Sequence, residues 1–226
     1  MQKLKSLINI KLFENLFFIL AILFVAMAAI QKGDNIFALL SAVFGLTYTF
    51  LLGKGKAIGY IFGIIATLSG AYLSFGLSLY GFFVLHLFYY FPMEIIGFLN
   101  WKKNTNAVTK EVIKTSLSNR ERILFFVITT CITIITIFVL KKLGDTSPIL
   151  DGIITIFSLL GMYFSVRRVF EEWFVWAFVN FLSVIMWFNV YLNGEGVFSI
   201  FVKRIIYLIL GTYFFFKWYR EVNKKN

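Results

Sequence analysis

Apolar residues run through this chain in blocks about as long as a bilayer is thick, separated by short polar breaks. A helix rising about 1.5 Å per residue needs roughly 20 apolar residues to cross a hydrocarbon core. By that measure the chain predicts eight spans, at 14–31, 35–53, 57–75, 78–100, 122–140, 149–166, 172–191 and 197–217. The breaks are brief, Gly53-Lys54-Gly55-Lys56 being one of them. The polar stretch from Lys102 to Glu121 is the exception. It is long enough to separate two halves, and its Lys, Glu, Ser and Asn residues fit a short surface helix without supplying a domain. The expected class is an all-α integral membrane protein with eight transmembrane helices.

The two halves resemble each other. Segments 37–101 and 153–218 each hold three spans in the same order, and Gly45 and Gly161 correspond at an offset of 116 residues. Tyr60-Ile61-Phe62 meets Trp176-Ala177-Phe178 at that same offset, and Gly97 meets Gly211 at 114. Each third span leaves through an aromatic-basic exit, Trp101-Lys102-Lys103 and Lys217-Trp218-Tyr219-Arg220. Three spans reverse the chain's direction, so the span at 122–140 restores it and makes the repeats parallel, a 3+1+3 arrangement. The expected divisions are 1–34, an N-terminal extra helix; 35–101, the first repeat; 102–148, linker and linking helix; and 149–226, the second repeat with the C-terminal tail.

Composition sharpens the picture. Of the 226 residues, 60% are apolar, 20% aromatic and 15% charged, and the mean hydropathy is +0.84. A soluble domain holds nearer 45–50% apolar and about 25% charged residues, and a chain this short cannot hide the excess in one core. Disorder and disulfide scaffolds are excluded. The net charge of +11 belongs to loops facing anionic lipid headgroups, not to a nucleic-acid surface. With the N-terminus inside, 17 Lys and Arg lie on the inner side and five outside (Lys32, Lys141, Lys142, Lys203, Arg204), which predicts that both termini are cytoplasmic. Lys3, Lys5 and Lys11 before an apolar stretch resemble a signal peptide, but the segment is expected to stay as the first helix. The single cysteine, Cys131, cannot form an internal disulfide and reads as a small buried hydrophobe.

Polar residues inside spans carry the candidate chemistry, since each is costly there. At about 100° per residue, Trp173, Trp176, Asn180 and Trp187 share an arc of roughly 60°. Three indoles and an amide form a flat wall suited to a planar heteroaromatic ring, and better to a cationic one. Trp173 also fits an interfacial aromatic belt. In the span before the linker, His86, Tyr90, Glu94, Gly97 and Trp101 project within roughly 80° of one another, and Pro92 is expected to bend the helix there. Glu94 needs a partner, a proton or water. Lys203 and Arg204 are structural candidates, and a ligand cation is the functional one. His86, the only histidine, fits a satisfied interior imidazole or a proton relay. Gly59, Gly63 and Gly70 predict close helix packing. Arg167-Arg168 with Glu171-Glu172 reads as a solvated charge cluster.

Two runs carry a family resemblance: Phe91-Pro92-Met93-Glu94-Ile95-Ile96-Gly97-Phe98-Leu99-Asn100-Trp101-Lys102-Lys103-Asn104, and Arg168-Val169-Phe170-Glu171-Glu172-Trp173-Phe174-Val175-Trp176-Ala177-Phe178-Val179-Asn180. They are similar to the P-M-Q-x-x-G…W-x-K-N and W-x-x-W-x-x-x-N runs of the Pnu-type vitamin transporters. The resemblance covers nearly the whole chain and implies a full-length, SWEET-like 3+1+3 carrier in the cytoplasmic (inner) membrane. It implies transport of nicotinamide riboside by facilitated diffusion and alternating access, with trapping by cytoplasmic phosphorylation. It also implies that Trp173, Trp176 and Asn180 line the site and that the protein forms trimers. The chain departs from the family at Glu94, where the run has Gln. Related carriers take thiamine, riboflavin or deoxynucleosides, and a pyridinium riboside and thiamine suit the indole wall equally. No phosphate-binding loop or metal cluster is present and no cofactor is implied. Two readings from the residues alone stay open. One is proton coupling through Glu94 and His86. The other is a membrane enzyme using the same pair as acid and base, although no nucleophile constellation accompanies them.

Overall fold

The computed structural model describes residues 2–31, 33, 35–76, 80–144, 147–192 and 198–224, with side chains from Leu12 onward except at 80–81, 190–191 and 198–200. Lys32 and the side chains of Lys3, Lys5 and Lys11, all part of the charge comparison above, lie outside the described residues. The helices are α1 (Gln2–Gln31), α2 (Ile36–Gly53), α3 (Gly59–Gly76), α4 (Tyr80–Leu85), a π-helical turn (His86–Tyr90), α5 (Phe91–Lys103), α6 (Asn119–Lys142), α7 (Pro148–Arg167), α8 (Glu171–Leu192) and α9 (Phe198–Asn223). Among the described residues seven segments are long and apolar enough to cross a membrane: Leu12–Gln31, Ile36–Gly53, Gly59–Gly76, Phe82–Lys103, Asn119–Lys142, Pro148–Arg167 and Glu171–Asn189. The seven do not include α9, where the eighth expected span falls.

The expected bend at Pro92 takes the form of the π-helical turn before it. A proline ring clashes with the carbonyl four residues back and removes a donor. Here Phe91 N–H bonds five residues back to the His86 carbonyl, and the wider turn absorbs the misfit. The chain then runs on as α5 without a break.

The polar stretch after α5 is not a surface helix. Residues 104–118 form a non-helical strap, turned at 107–109, whose backbone groups bond within it and to other loops. Val112 N–H donates to the Gly55 carbonyl (2.8 Å), Ile113 N–H to Asn104 (2.9 Å), Thr115 N–H to Arg168 (3.0 Å), and Phe170 N–H returns to Thr115 (3.0 Å). Lys110 has a left-handed φ of 54°, and Val112 and Leu117 are buried. The β-branched run and these loop partners outweigh the weak helical propensity. The strap ends at Ser118, which forms a capping box with Glu121 at the start of α6.

Within each half, α2 packs on α3 and α7 on α8, while α5 lies against α3 and α9 against α8. Across the halves the packing is reciprocal, α5 against α7 and α9 against α2. Two indoles mark these crossings. Trp101 Nε1 donates to the Ser165 carbonyl near the end of α7 (2.8 Å), and Trp218 Nε1 donates to the Gly53 carbonyl at the end of α2 (2.9 Å). The last carbonyls of a helix lack internal partners, so each half caps a helix of the other. Both indoles are fully buried. Helix α1 lies outside this pair of halves, against α2 and α9. Cys131 is exposed on α6, contrary to the buried position expected, because α6 packs chiefly against α7 and leaves its other faces open.

Candidate functional site

The helices of both halves enclose a cavity of about 250 Å³, just below the roughly 300–1,000 Å³ common for ligand pockets. Six of the eight predicted site residues line it: His86, Tyr90, Glu94, Trp173, Trp176 and Asn180. The other two do not. Trp101 is held by Ser165 at the crossing of α5 and α7, and Trp187 stands eleven residues beyond Trp176, about 16 Å further along α8.

Helix α8 supplies the aromatic wall. Trp173 is 3% exposed, its ring packs on Phe214 (5.1 Å between centroids) and Trp218 (5.7 Å), and its Nε1 has no partner among the described residues. Trp176 lies one turn on, against Gly161 of α7. A Cβ at Gly161 would stand 3.0 Å from the indole, so only glycine lets the ring lie this close to the helix. Asn180 is buried and its Nδ2 donates to the Trp176 carbonyl (2.8 Å), which fixes the amide at the end of the wall.

The opposite side is built by α3 and α5. Glu94 is 4% exposed. Thr67 of α3 donates to its Oε1 (2.8 Å), while its Oε2 is buried without a hydrogen-bond partner among the described residues. Neither Lys203 nor Arg204, the structural candidates, pairs with it. Both line the same cavity from α9, and the Lys203 ammonium lies 5.8 Å from the Tyr207 ring centroid. His86 Nδ1 donates to the Phe82 carbonyl (2.7 Å), and its other ring edge faces Gly70, where a Cβ would come within 3.1 Å. The half-buried imidazole is thus held at one ring edge by Phe82 and packed at the other on Gly70, while lining the cavity. Gly59 and Gly63 have the tight contacts expected of them, against Leu52 and Tyr48.

Several lining residues escaped the sequence reading. Tyr48 of α2 donates to the Met162 sulfur (3.7 Å), and Ser165 of α7, which also lines the cavity, shares a 3.3 Å hydrogen bond with the Tyr60 hydroxyl. These groups sit in apolar runs with no pattern to single them out. Glu172 is the larger surprise. Its neighbours in sequence behave as a surface cluster, with Arg122 on Glu171 (2.8 Å) and Arg167 on Glu121 (2.7 Å). Glu172 instead turns inward, 1% exposed and lining the cavity. Among the described residues no group of three or more His, Cys, Asp or Glu converges as a metal site. The chemistry available is recognition: π faces, an amide, hydroxyls, and carboxylates inside an apolar bundle.

A cavity lined by aromatic rings, an amide and carboxylates inside a bundle of membrane-competent helices is the arrangement of a membrane transporter, and the family and relatives that match are transporters, not enzymes. The chain belongs to the nicotinamide mononucleotide transporter family, whose model matches residues 35–220. It is 30% identical over 204 residues to the nicotinamide riboside transporter PnuC of Neisseria mucosa, covering 88% of this chain and 78% of that one. It is 28% identical over 218 residues to the PnuC of Haemophilus influenzae, covering 96% and 93%. The crystal structure of a vitamin B3 transporter PnuC superposes with a TM-score of 0.79 at 28% identity, over 95% of this chain and 93% of that one.

Proposed function

We propose that this protein carries nicotinamide riboside across the cytoplasmic membrane by facilitated diffusion, the cavity opening alternately to either side. The observation that carries the reading is the Trp173, Trp176 and Asn180 wall facing the buried Glu94 carboxylate across one cavity. A pyridinium ring stacks on indoles and balances a carboxylate, and the ribose hydroxyls match hydroxyl and amide partners. The relatives named as nicotinamide riboside transporters support the same cargo. Phosphorylation of the cargo by a separate cytoplasmic enzyme would keep it inside. In this reading α9 is the eighth span, the halves 35–101 and 149–226 are parallel repeats joined by α6, and α1 (within 1–34) is an addition. The reciprocal caps by Trp101 and Trp218 support that pairing. The strap and both termini lie on the cytoplasmic side, in keeping with the Lys and Arg distribution, and the protein assembles as a homotrimer by its family likeness.

The test is binding of nicotinamide riboside, thiamine, riboflavin and thymidine to the purified protein, wild type beside Trp176→Ala. Selective binding of the riboside is expected, with affinity falling about 30-fold or more in the variant, the loss typical of a buried aromatic anchor. Binding of another vitamin in its place overturns the cargo and leaves the site. Equal binding by wild type and variant overturns the site.

A further inference from the structure

Glu172 is the second residue of α8, one before Trp173, and among the described residues no ion pair is formed with it. It is 1% exposed, and neither carboxylate oxygen has a hydrogen-bond partner among the described residues. The Ser165 hydroxyl of α7 is the polar neighbour and Lys114 of the strap the cation that acts on it, but that ammonium is held by Glu221, stands 3.8 Å from Glu111 and lies 4.9 Å from the Trp218 ring centroid. Lys203 and Arg204 share the cavity but sit towards its other end. Arg204 precedes Phe214, the residue Trp173 packs on, by ten positions, about 15 Å along α9. Glu94 also keeps one buried oxygen without a partner. Tyr48 lies within electrostatic range of both acids.

One cavity therefore holds two acids with unused acceptor capacity, beside an indole N–H that has no partner either. A lone ionised carboxylate in such a place costs several kcal/mol unless a charge of opposite sign joins it. Among the described residues no cation pairs with Glu172, which leaves a ligand to bring one.

We propose that Glu172, acting with Glu94, makes this site select its cargo by positive charge: the ligand is an aromatic ring cation, held by the two carboxylates against the Trp173 and Trp176 indoles. This rests on the carrier reading above and extends it from the shape of the cargo to its charge. Glu172 is then a specificity-determining residue, not part of a surface cluster.

The test compares nicotinamide riboside with its reduced 1,4-dihydropyridine form, which keeps the ribose and carboxamide but carries no ring charge. Both are titrated into purified full-length wild type, Glu172→Gln and Glu94→Gln. Wild type is expected to prefer the cation by about tenfold or more, and Glu172→Gln to weaken the cation by about tenfold while hardly moving the neutral form. Equal affinity of the two forms for wild type overturns the proposal, whether or not the variants fold. A parallel loss of both forms in Glu172→Gln also overturns it, marking the residue as structural. If neither form binds but thiamine does, and Glu172→Gln weakens thiamine, charge selection stands and the riboside assignment falls. Tight binding of riboflavin or thymidine, whose rings are uncharged, overturns both.

Discussion

Gly161 has no side chain, and its Cα hydrogen is what the Trp176 indole packs against. The aromatic wall thus depends on a residue that makes no polar contact with a ligand. Replacing it with valine puts a Cβ 3.0 Å from the ring and branches it further, and such overpacking costs about 1–3 kcal/mol. Gly161→Val is expected to turn the indole and weaken cargo binding about tenfold, measured by calorimetry, with the helical circular dichroism unchanged. Side-chain azimuth on α8 was legible from residue spacing, which is why Trp173, Trp176 and Asn180 meet one cavity. Height along the helix was not, because periodicity says nothing of where a cavity begins and ends. Trp187 and Trp101 share the right faces and lie beyond it. Glu172 was hidden for a related reason, since a carboxylate in the run Arg167-Arg168-Val169-Phe170-Glu171-Glu172 looks solvated until the turn that buries it is seen.

Besides its apolar packing, helix α1 is tied to the bundle by a buried acid. Glu14, with a side chain 4% exposed, accepts from Lys54 of the α2 end (2.8 Å) and from Lys217 of α9 (2.9 Å), and Tyr213 of α9 donates to the same carboxylate. Removing one member of a buried pair costs about 3–5 kcal/mol, but the two lysines are 19% and 27% exposed and can regain water. Glu14→Ala is therefore expected to destabilise the protein by about 1–2 kcal/mol, read as a lower unfolding temperature in detergent, and to speed proteolysis of α1. Cargo affinity should change little, because the network lies outside the cavity lining. At this scale the apolar blocks placed the helices well, since length and hydropathy alone set which segments lipid can cover. They failed at the strap, where backbone bonds to Gly55, Asn104 and Arg168 replace those of a helix.

At the scale of the whole molecule, two helix ends are completed by indoles from segments far away in the chain. Trp101 satisfies α7 and Trp218 satisfies α2, and a net hydrogen bond of this kind contributes about 1 kcal/mol. Trp101→Phe and Trp218→Phe keep the ring packing and remove the donor. Each is expected to lower stability by about 1–2 kcal/mol in detergent unfolding, since a buried carbonyl is left bare. Cargo binding to the cavity should persist in both. Loss of binding in Trp101→Phe with stability intact would return that residue to the site.

Lipid is an undemanding solvent with one strict rule, that backbone polar groups be satisfied within helices or closed sheets. The sequence could therefore declare an all-helical membrane protein, the extent of its apolar segments and the faces its polar residues share. A helical face is a direction only. Which face meets which, at what height, and whether a charge turns towards water or towards an interior cavity depend on packing between segments far apart in the chain. That is how Trp101 became a cap, Lys203 and Arg204 stayed unpaired with Glu94, and Glu172 came to line the cavity.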